Sequence, residues 1–346
     1  MKTELHKKLM NRTLVLLTFC CLIFFGNNLN AQSADLDQVR NGTVLSPVSP
    51  GDWVNGNAGA QNSHYVEGMS IPYRCVMEDL PPADENNPHW IIIEWDIRSS
   101  APGGNSPGKN AFDFLTVYDN LEPHYIFGHG GAEVIDPLIV VTGNGPSINT
   151  LKFPRPNSTG GDVEGQPGDT WDELSDEMLS MTIFGGTITS MEYELQGDLS
   201  ANNASSSLKI FFYPEDGYST AVLAWGGRIA TQDTWGEGNS AVFISGSPYH
   251  MRLEDWNLGN LGNQDLSCNA AAISDIPKCD FVTDTYHFCD EDVPEEMRFD
   301  IEFPSDNYSY EWLLPNDEFG NNNTGAIFTS GVNMDYVTVD PLTNSD

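Results

Sequence analysis

The segment His89–Ile97, HWIIIEWDI, decides the fold class of this chain. Its apolar side chains alternate along the segment: Ile91, Ile93, Trp95 and Ile97. Glu94 and Asp96 occupy positions between them. Because successive side chains of a β-strand point to opposite faces, the segment predicts a strand with one buried and one polar face. Such strands are typical of antiparallel sheets that cover one side of a core.

Other segments of the chain have the same character. Ala111–Tyr118 (AFDFLTVY) and Ser207–Tyr213 (SLKIFFY) alternate, while Ala221–Trp225 and Ala241–Ser245 are short β-prone runs beside glycine. Turn residues, among them 32 glycines and 21 prolines, interrupt the pattern, and they recur about every eight to twelve residues. The sequence therefore predicts an all-β protein, a β-sandwich of jelly-roll or immunoglobulin-like type with long loops.

The middle of the chain, Asn120–Asp176, has a different composition. Gly, Asn and Pro are frequent there, above all in Phe153–Gly168, and one clear apolar run stands among them, Pro137–Thr142. This composition predicts a long irregular insertion or a binding loop. Asp172–Leu179 carries acidic residues suited to a helix N-terminus and predicts a short helix.

The N-terminus has the three zones of a signal peptide. Met1–Arg12 is basic, Thr13–Gly26 is apolar, and a polar stretch leads to Ala31. The apolar run is shorter than the roughly 20 residues that a membrane-spanning helix needs. Residues 1–31 are therefore predicted to be removed on export, which leaves a secreted or cell-surface protein without a membrane span.

Three further parts follow the signal peptide. Residues 32–267 are predicted to form an N-terminal β-sandwich domain, residues 268–280 a linker, and residues 281–346 an immunoglobulin-like domain. Tyr308–Leu314 and Tyr336–Val339 are the predicted strands of the last part. Only about 65 residues remain for a domain that needs roughly 100. We therefore expect an incomplete domain, and further β modules in a longer modular protein.

The charge of the chain limits its partners. It carries 50 acidic and 15 basic residues, a formal net charge of -35. Such an acidic surface repels phosphate backbones and anionic lipids, which excludes nucleic-acid binding. The expected partner is an unknown extracellular protein or glycan. The alternative is that the charge serves solubility alone.

Four cysteines remain after Cys20 and Cys21 leave with the signal peptide. They are disulfide candidates, because disulfides persist in exported proteins: Cys75, Cys268, Cys279 and Cys289. Three pairings are possible, and the sequence does not choose among them. In one of them Cys279 and Cys289 close a loop, and Cys75 and Cys268 tie the start of the large domain to its end. The absence of a CxxC pair argues against a metal site.

Calcium is the one ion for which the sequence offers ligands. Calcium prefers hard oxygen ligands, and an acidic stretch near the domain junction supplies them: Asp280, Asp284, Asp290, Glu291 and Asp292. No EF-hand pattern is present. Two interpretations stay open, a solvated acidic loop and a calcium site that stiffens the junction. No other cofactor is predicted.

The tryptophans divide into two groups. Those on alternating strands are predicted to lie in the core: Trp95, Trp225 and Trp312. Those in loops rich in Gly, Asp and Asn are candidate ligand-binding residues, because exposed indole rings bind sugars: Trp53, Trp171, Trp235 and Trp256. The alternative is that these four rings cap the ends of the sandwich.

No arrangement of residues in the sequence indicates catalysis. Glu94 and Asp96 resemble the carboxylate pair of a glycosidase, but a chain this acidic places such pairs on solvated faces by chance. Ser245-Gly-Ser247 with His250 lacks the strand–turn–helix setting of a nucleophile elbow. The histidines have no metal-ligand spacing and are expected in turns or in the core: His64, His124, His129 and His250. The protein is therefore predicted not to be an enzyme.

Several sequence blocks together resemble a known family. They include Trp53-Val-Asn-Gly-Asn, Gly108-Lys-Asn-Ala-Phe-Asp-Phe, Leu223-Ala-Trp-Gly-Gly and Ser245-Gly-Ser-Pro-Tyr-His. As a set, over Val39–Leu266, they resemble the N-terminal domain of large secreted modular surface proteins of Bacteroidota-type bacteria. The segment after it, residues 281–346, resembles the PKD/immunoglobulin-like repeats that often follow in such proteins. The resemblance implies export, often by the type IX route, and no established catalytic residues.

These observations predict a non-catalytic secreted or cell-surface module, structural or adhesive, within a longer modular protein. The alternative is a carbohydrate-binding module that assists a polysaccharide-degrading enzyme. Fold class does not separate the two, because β-sandwiches serve unrelated functions.

Overall fold

The structure is a computed structural model. It describes residues 31–100, 108–120, 127, 129, 133–156, 167–244 and 248–275, and three strands nearer the C-terminus. The chain divides into two units between Ser274 and Asp275. Residues 268–274, predicted as the start of a linker, lie in the first unit, where they end one strand and form a 3₁₀ helix and a second short strand. The predicted signal peptide, except for Ala31, lies outside the described residues.

The first unit is an all-β, antiparallel sandwich, which confirms the predicted fold class. Its described strands, numbered in chain order, are β1 (Ser33–Thr43), β2 (Ser46–Val54), β3 (Tyr65–Val66), β4 (Ser70–Glu78), β5 (His89–Ser99), β6 (Lys109–Asn110), β7 (Phe112–Thr116), β8 (Ile148–Lys152), β9 (Ser180–Phe184), β10 (Gly186–Leu195), β11 (Ala204–Pro214), β12 (Ala221–Ile229), β13 (Tyr249–Trp256), β14 (Asp265–Cys268) and β15 (Ile273–Ser274).

Two sheets make the sandwich. The first sheet has the strand order β2–β1–β4–β12–β9–β8, and β7 also pairs with β12. The second sheet has the order β10–β11–β5–β13–β14, and β6 also pairs with β5. A short parallel pair, β3 with β15, stands apart from both. Strand β5, whose sequence predicted the fold class, therefore lies in the middle of the second sheet.

Strand β5 has the predicted alternation. Its inward side chains are no more than 6% exposed: Ile91, Ile93, Trp95 and Ile97. Glu94 and Asp96 lie half-buried on the outer face. Its neighbour β11 repeats the pattern, with three apolar side chains inside, Leu208, Ile210 and Phe212, and Lys209 outside. The two strands pair in antiparallel register over most of their length, so their outer side chains form one surface.

One large hydrophobic core fills the space between the sheets. Trp225 on β12 is 0% exposed and Trp95 on β5 is 1% exposed, which confirms both as core residues. The Trp225 ring stacks on Tyr73, with centroids 6.1 Å apart and planes inclined by 19°. Each buried ring of this size removes about 150–250 Å² from water, worth about 4–6 kcal/mol. Trp312 lies outside the described residues.

Strand β2 forms one edge of the first sheet, and most of its residues are exposed. It contains Pro47 and Pro50, which have no backbone N–H to donate. Gly51 of the same strand donates its N–H to Val134 O at 3.1 Å. The turn between β1 and β2 carries Leu45, which is 96% exposed.

Two predicted helical or strand segments differ from the structure. The helix expected over Asp172–Leu179 is wrong, because α1 (Pro167–Asp172) ends where it was expected to begin. Pro167 explains the earlier start, since proline fits the first turn of a helix, where its missing N–H has no partner to lose. A second short helix, α2 (Gln232–Trp235), follows β12.

The strand expected over Ala241–Ser245 is also wrong. Ala241–Phe243 forms a 3₁₀ helix, and a second 3₁₀ helix spans Ala270–Ala272. The cause is the buried carboxylate of Glu67, which accepts a hydrogen bond from Val242 N at 3.3 Å and one from Gln232 N at 3.1 Å. These N–H groups are therefore held by a side chain and not by a neighbouring strand.

The second unit contains three described strands, β16 (Met297–Asp300), β17 (Ile327–Ser330) and β18 (Tyr336–Asp340). They form an antiparallel sheet in the order β16–β18–β17. The predicted strand Tyr336–Val339 is confirmed, whereas Tyr308–Leu314 lies outside the described residues. No helix in the described parts of the chain is long and apolar enough to cross a membrane.

Candidate functional site

The four loop tryptophans do not form one exposed platform. Trp171 and Trp256 are each only 3% exposed and belong to the core, so their prediction as ligand-binding residues is wrong. Trp171 lies on α1 and packs edge-on against Phe114, with ring centroids 5.1 Å apart. Trp256 ends strand β13. Both rings are buried because the elements that carry them pack onto the sandwich.

The other two tryptophans are half-buried and make internal contacts. Trp53 lies on β2, donates from Nε1 to Asp136 O at 2.7 Å, and has the Arg74 guanidinium 4.9 Å from its ring centre. Trp235 ends α2 and donates from Nε1 to Asp113 Oδ1 at 2.7 Å. Their polar edges therefore stabilise the fold, and neither offers a free indole N–H to a ligand.

Glu94 and Asp96 are held by one arginine. Arg252 Nη1, on β13, lies 2.7 Å from Glu94 Oε1 and 2.8 Å from Asp96 Oδ1. A glycosidase needs its two carboxyl groups free to reach the sugar or a water molecule. The guanidinium bridges the two carboxylates, so Glu94 and Asp96 belong to an ion-pair network on the outer face of the sheet. Asp265 and His250 extend the network, with His250 Nδ1 2.7 Å from Asp265 Oδ1.

Cys75 and Cys268 are free and buried, which contradicts the one of the three open pairings that joins them. Cys75 lies on β4 of the first sheet and Cys268 on β14 of the second. Burial raises the pKa of both thiols, that of Cys268 to about 12. Cys279 and Cys289 lie outside the described residues.

Both buried thiols are expected to resist alkylation in the folded protein, because the reactive thiolate is suppressed and shielded. Iodoacetamide treatment before and after denaturation, followed by peptide mass spectrometry, measures each site separately. We expect the Cys75 and Cys268 peptides to be modified only after denaturation. A peptide pair joined by a disulfide in the native sample would contradict the structure.

No metal site is found in the described parts of the chain, where no group of three or more His, Cys, Asp or Glu side chains is arranged to hold a metal ion. His64 and His129 lie together, with ring centroids 5.4 Å apart, and His64 Nδ1 is 2.9 Å from Gly42 O. His124 lies outside the described residues. The calcium candidates also lie outside them: Asp280, Asp284, Asp290, Glu291 and Asp292.

Glu133 carries a buried carboxyl group beside Asn41. Burial raises its pKa to about 8, and a hydrogen bond with Asn41 opposes that shift. The folded protein therefore keeps a proton on Glu133 at pH values where the unfolded chain has lost it. The stability contribution of this group is highest below about pH 4.5 and falls as the pH rises toward 8.

Glu133→Gln is expected to remove this pH dependence, because glutamine mimics the protonated acid. Relative to the wild type, the free energy of unfolding of the variant is higher by on the order of 3 kcal/mol at pH 8 and nearly unchanged at pH 4.5. Urea denaturation at a series of pH values measures the difference. The matched control is Glu173→Gln, at an exposed position. Parallel curves for wild type and Glu133→Gln would show that Glu133 ionises normally.

The outer face of the second sheet carries an aromatic and lysine cluster, which we call the lysine–aromatic patch: Trp90, Lys209 and Phe211. Trp90 on β5 lies directly opposite Phe211 on β11. Lys209 Nζ is 4.3 Å from the Trp90 ring centre and 5.9 Å from that of Phe211. Both rings are half-buried, and Trp90 Nε1 forms no hydrogen bond with a described residue.

Acidic side chains surround the patch. Glu194 Oε2 lies 3.7 Å from Lys209 Nζ, beyond ordinary hydrogen-bond length. Burial, followed by the nearby charges of Glu94, Asp255 and Glu194, raises the pKa of Glu254. The outer face therefore carries two half-buried aromatic rings with a lysine ammonium over them and a carboxylate beside that lysine.

The sequence contains a signal for this patch in the alternation of its strands. Trp90 occupies the polar face of β5, because it alternates with Ile91 and Ile93. Phe211 shares the face of Lys209 for the same reason. An aromatic residue on the polar side of an alternating strand indicates a surface ring more reliably than one in a loop.

A concave feature, separate from the lysine–aromatic patch, lies beside the β1–β2 hairpin. This hairpin cleft has a volume of about 390 Å³ and is lined by Arg40, Gly42, Thr43, Ser46, Val48, Asp52, Gln61 and Asn62. Arg40 and Asp52 face each other across the strand pair. The volume falls within the range of about 300–1,000 Å³ common for small-ligand sites, although the lining is more polar than usual.

Comparison of the chain with protein-family models, with curated proteins and with solved structures finds no match.

Proposed function

We propose that this chain is a non-catalytic secreted or cell-surface module with an adhesive role in a longer modular protein. The observation that carries the proposal is the lysine–aromatic patch on the outer face of the second sheet. Trp90 and Phe211 expose ring surface there, and Lys209 adds a charged donor at their centre. Aromatic side chains contribute much of the energy at binding surfaces for a small loss of side-chain entropy.

The charged side chains next to the patch support binding without catalysis. Glu94 and Asp96 share Arg252, which also lies 3.5 Å from Asp265. A carboxylate fixed in such a network is a poor general acid or base, since proton transfer would break the ion pairs. The network instead gives the outer face a fixed arrangement of charges that a partner can recognise.

A carbohydrate-binding module is the second candidate, and the half-buried Trp90 ring favours it. Sugar rings stack their C–H faces on indole, and the free Trp90 N–H can donate to a hydroxyl. In this case the patch replaces the four loop tryptophans as the binding surface. The same measurement separates the two candidates, because they differ in the chemical class of the partner.

The test is binding of the full chain to a glycan array and to a panel of immobilised secreted proteins, mucin and collagen among them. We expect binding without release of reducing sugars or peptides. Trp90→Ala should weaken that binding about tenfold or more, as loss of a central aromatic contact does. Lys209→Met should weaken it less.

The matched control is Phe243→Ala, which removes an exposed ring outside the patch. Equal losses for Trp90→Ala and Phe243→Ala would sink the proposal, as would product release that stops on Glu94→Gln. Binding confined to glycans would favour the carbohydrate-binding module. Binding confined to proteins would favour adhesion.

A further inference from the structure

We propose that the hairpin cleft is a second binding site, which takes a neutral, hydroxyl-rich ligand such as the terminal sugar of a glycan. The cleft lies on the β1–β2 hairpin of the first sheet, whereas the lysine–aromatic patch lies on β5 and β11 of the second. The inference therefore goes beyond the proposed function and uses none of the patch residues.

The Arg40 side chain of the cleft is fixed by hydrogen bonds within the protein. Arg40 donates from Nε and Nη2 to the carbonyl of Asn57, at 3.1 and 2.7 Å. Two of its nitrogens are thus anchored, and Nη1 forms no hydrogen bond or ion pair with a described residue. A donor fixed in this way loses little side-chain entropy when it binds.

The walls of the cleft are also fixed. Gly42 N donates to Asn62 O at 3.1 Å, which joins the hairpin to the neighbouring loop. Asn62 Oδ1 accepts from Gly59 N at 2.8 Å and so braces that loop. Gly42 has a φ of 82°, and a Cβ there would lie 2.4 Å from Ser46 O, so the hairpin closes only with glycine at this position.

Several polar side chains in the cleft have no partner among the described residues. They are the side chains of Thr43, Ser46, Asp52 and Gln61. Together with Arg40 Nη1 they offer hydrogen-bond donors and acceptors around one cavity. Val48, 36% exposed, adds a small apolar surface.

This mixture fits hydroxyl groups better than a charged ligand. A hydroxyl both donates and accepts, so one ligand can accept from Arg40 and donate to Asp52 at the same time. An anion would face the Asp52 carboxylate and the acidic chain as a whole, and a cation would face Arg40. Val48 can contact the C–H face of a sugar ring.

The test is saturation-transfer NMR and calorimetry with the full chain and five neutral probes: glucose, galactose, mannose, xylose and N-acetylglucosamine. We expect at least one to bind at millimolar concentration. Asp52→Asn and Gln61→Ala should each weaken this binding about tenfold, the effect of losing a hydrogen bond to a polar ligand. Because both side chains are exposed and neither has a partner in the described parts of the chain, neither change should alter the thermal unfolding of the protein.

Two controls keep the result specific. Leu45→Ser changes the exposed tip of the same hairpin outside the cleft and should leave sugar binding unchanged. Phe243→Ala, which removes an exposed ring outside both the cleft and the patch, should also leave it unchanged. Sugar binding that survives Asp52→Asn and Gln61→Ala, or no binding by any of the five probes, would overturn the inference. Binding of glycine in place of the sugars would overturn it too, because that result indicates a site for zwitterions.

Discussion

Asp113→Ala is expected to lower the free energy of unfolding by about 3–5 kcal/mol, because it leaves a buried arginine without its counter-charge. Asp113 on β7 is 0% exposed and forms an ion pair with Arg228 on β12, whose side chain is 10% exposed. The same carboxylate accepts the hydrogen bond from Trp235 Nε1 at 2.7 Å. Its loss therefore leaves the buried Arg228 guanidinium and the half-buried Trp235 indole N–H without their acceptor.

Urea denaturation followed by tryptophan fluorescence measures this effect. The matched control is Asp172→Ala, which breaks an exposed ion pair with Arg155, at 2.8 Å between Oδ2 and Nη2. Exposed pairs contribute little to stability, because water and salt screen the two charges. The double variant Asp113→Leu with Arg228→Met should recover much of the loss, because a buried pair can often be replaced by apolar side chains. Similar losses for Asp113→Ala and Asp172→Ala would show that the buried pair is not formed.

Trp225→Ala is expected to lower the free energy of unfolding by about 3–5 kcal/mol, the range for truncating a large aromatic residue in a core. The ring is fully buried and stacks on Tyr73. Trp225 Nε1 has no hydrogen-bond partner among the described residues. Trp225→Phe should therefore cost clearly less than Trp225→Ala, about 1–2 kcal/mol, because it fills much of the cavity and removes an unsatisfied donor.

Trp90→Ala provides the comparison for Trp225, since the same residue type is removed from the surface. We expect Trp90→Ala to lower the free energy of unfolding by less than about 1 kcal/mol. Thermal unfolding of Trp225→Ala, Trp225→Phe and Trp90→Ala ranks the three variants by stability. If Trp225→Phe were as damaging as Trp225→Ala, the indole N–H would have a partner that stabilises it. If Trp90→Ala were equally damaging, its effect on binding would reflect misfolding.

The sequence predicted the sandwich because its strands follow a two-residue period. The alternation in His89–Ile97 and Ser207–Tyr213 assigned the inner faces of β5 and β11 correctly, and it places Trp90 and Phe211 outside. Local chemistry was sufficient here, since the face of a strand residue depends only on its neighbours. Trp95 and Trp225 were found in the core for that reason.

Other features depend on contacts between distant residues, and local pattern failed for them. Trp171 and Trp256 stand among polar and glycine residues, yet the packing of α1 and the end of β13 buries them. Glu67 holds backbone groups of residues more than 160 positions away, which turned a β-prone run into a 3₁₀ helix. The hairpin cleft likewise joins Arg40, Asp52 and Gln61 through a hairpin and a loop, with no spacing that a sequence search recognises.

The prolines of β2 have a consequence for crowded copies of this chain. An edge strand with free N–H groups is a template on which another chain can add a strand and begin a fibre. Pro47 and Pro50 remove two of these donors, and the Gly51 N–H donates to Val134 O. Neighbouring copies of the chain therefore find few free N–H groups along β2. This limits strand addition at this edge of the first sheet when the local protein concentration is high.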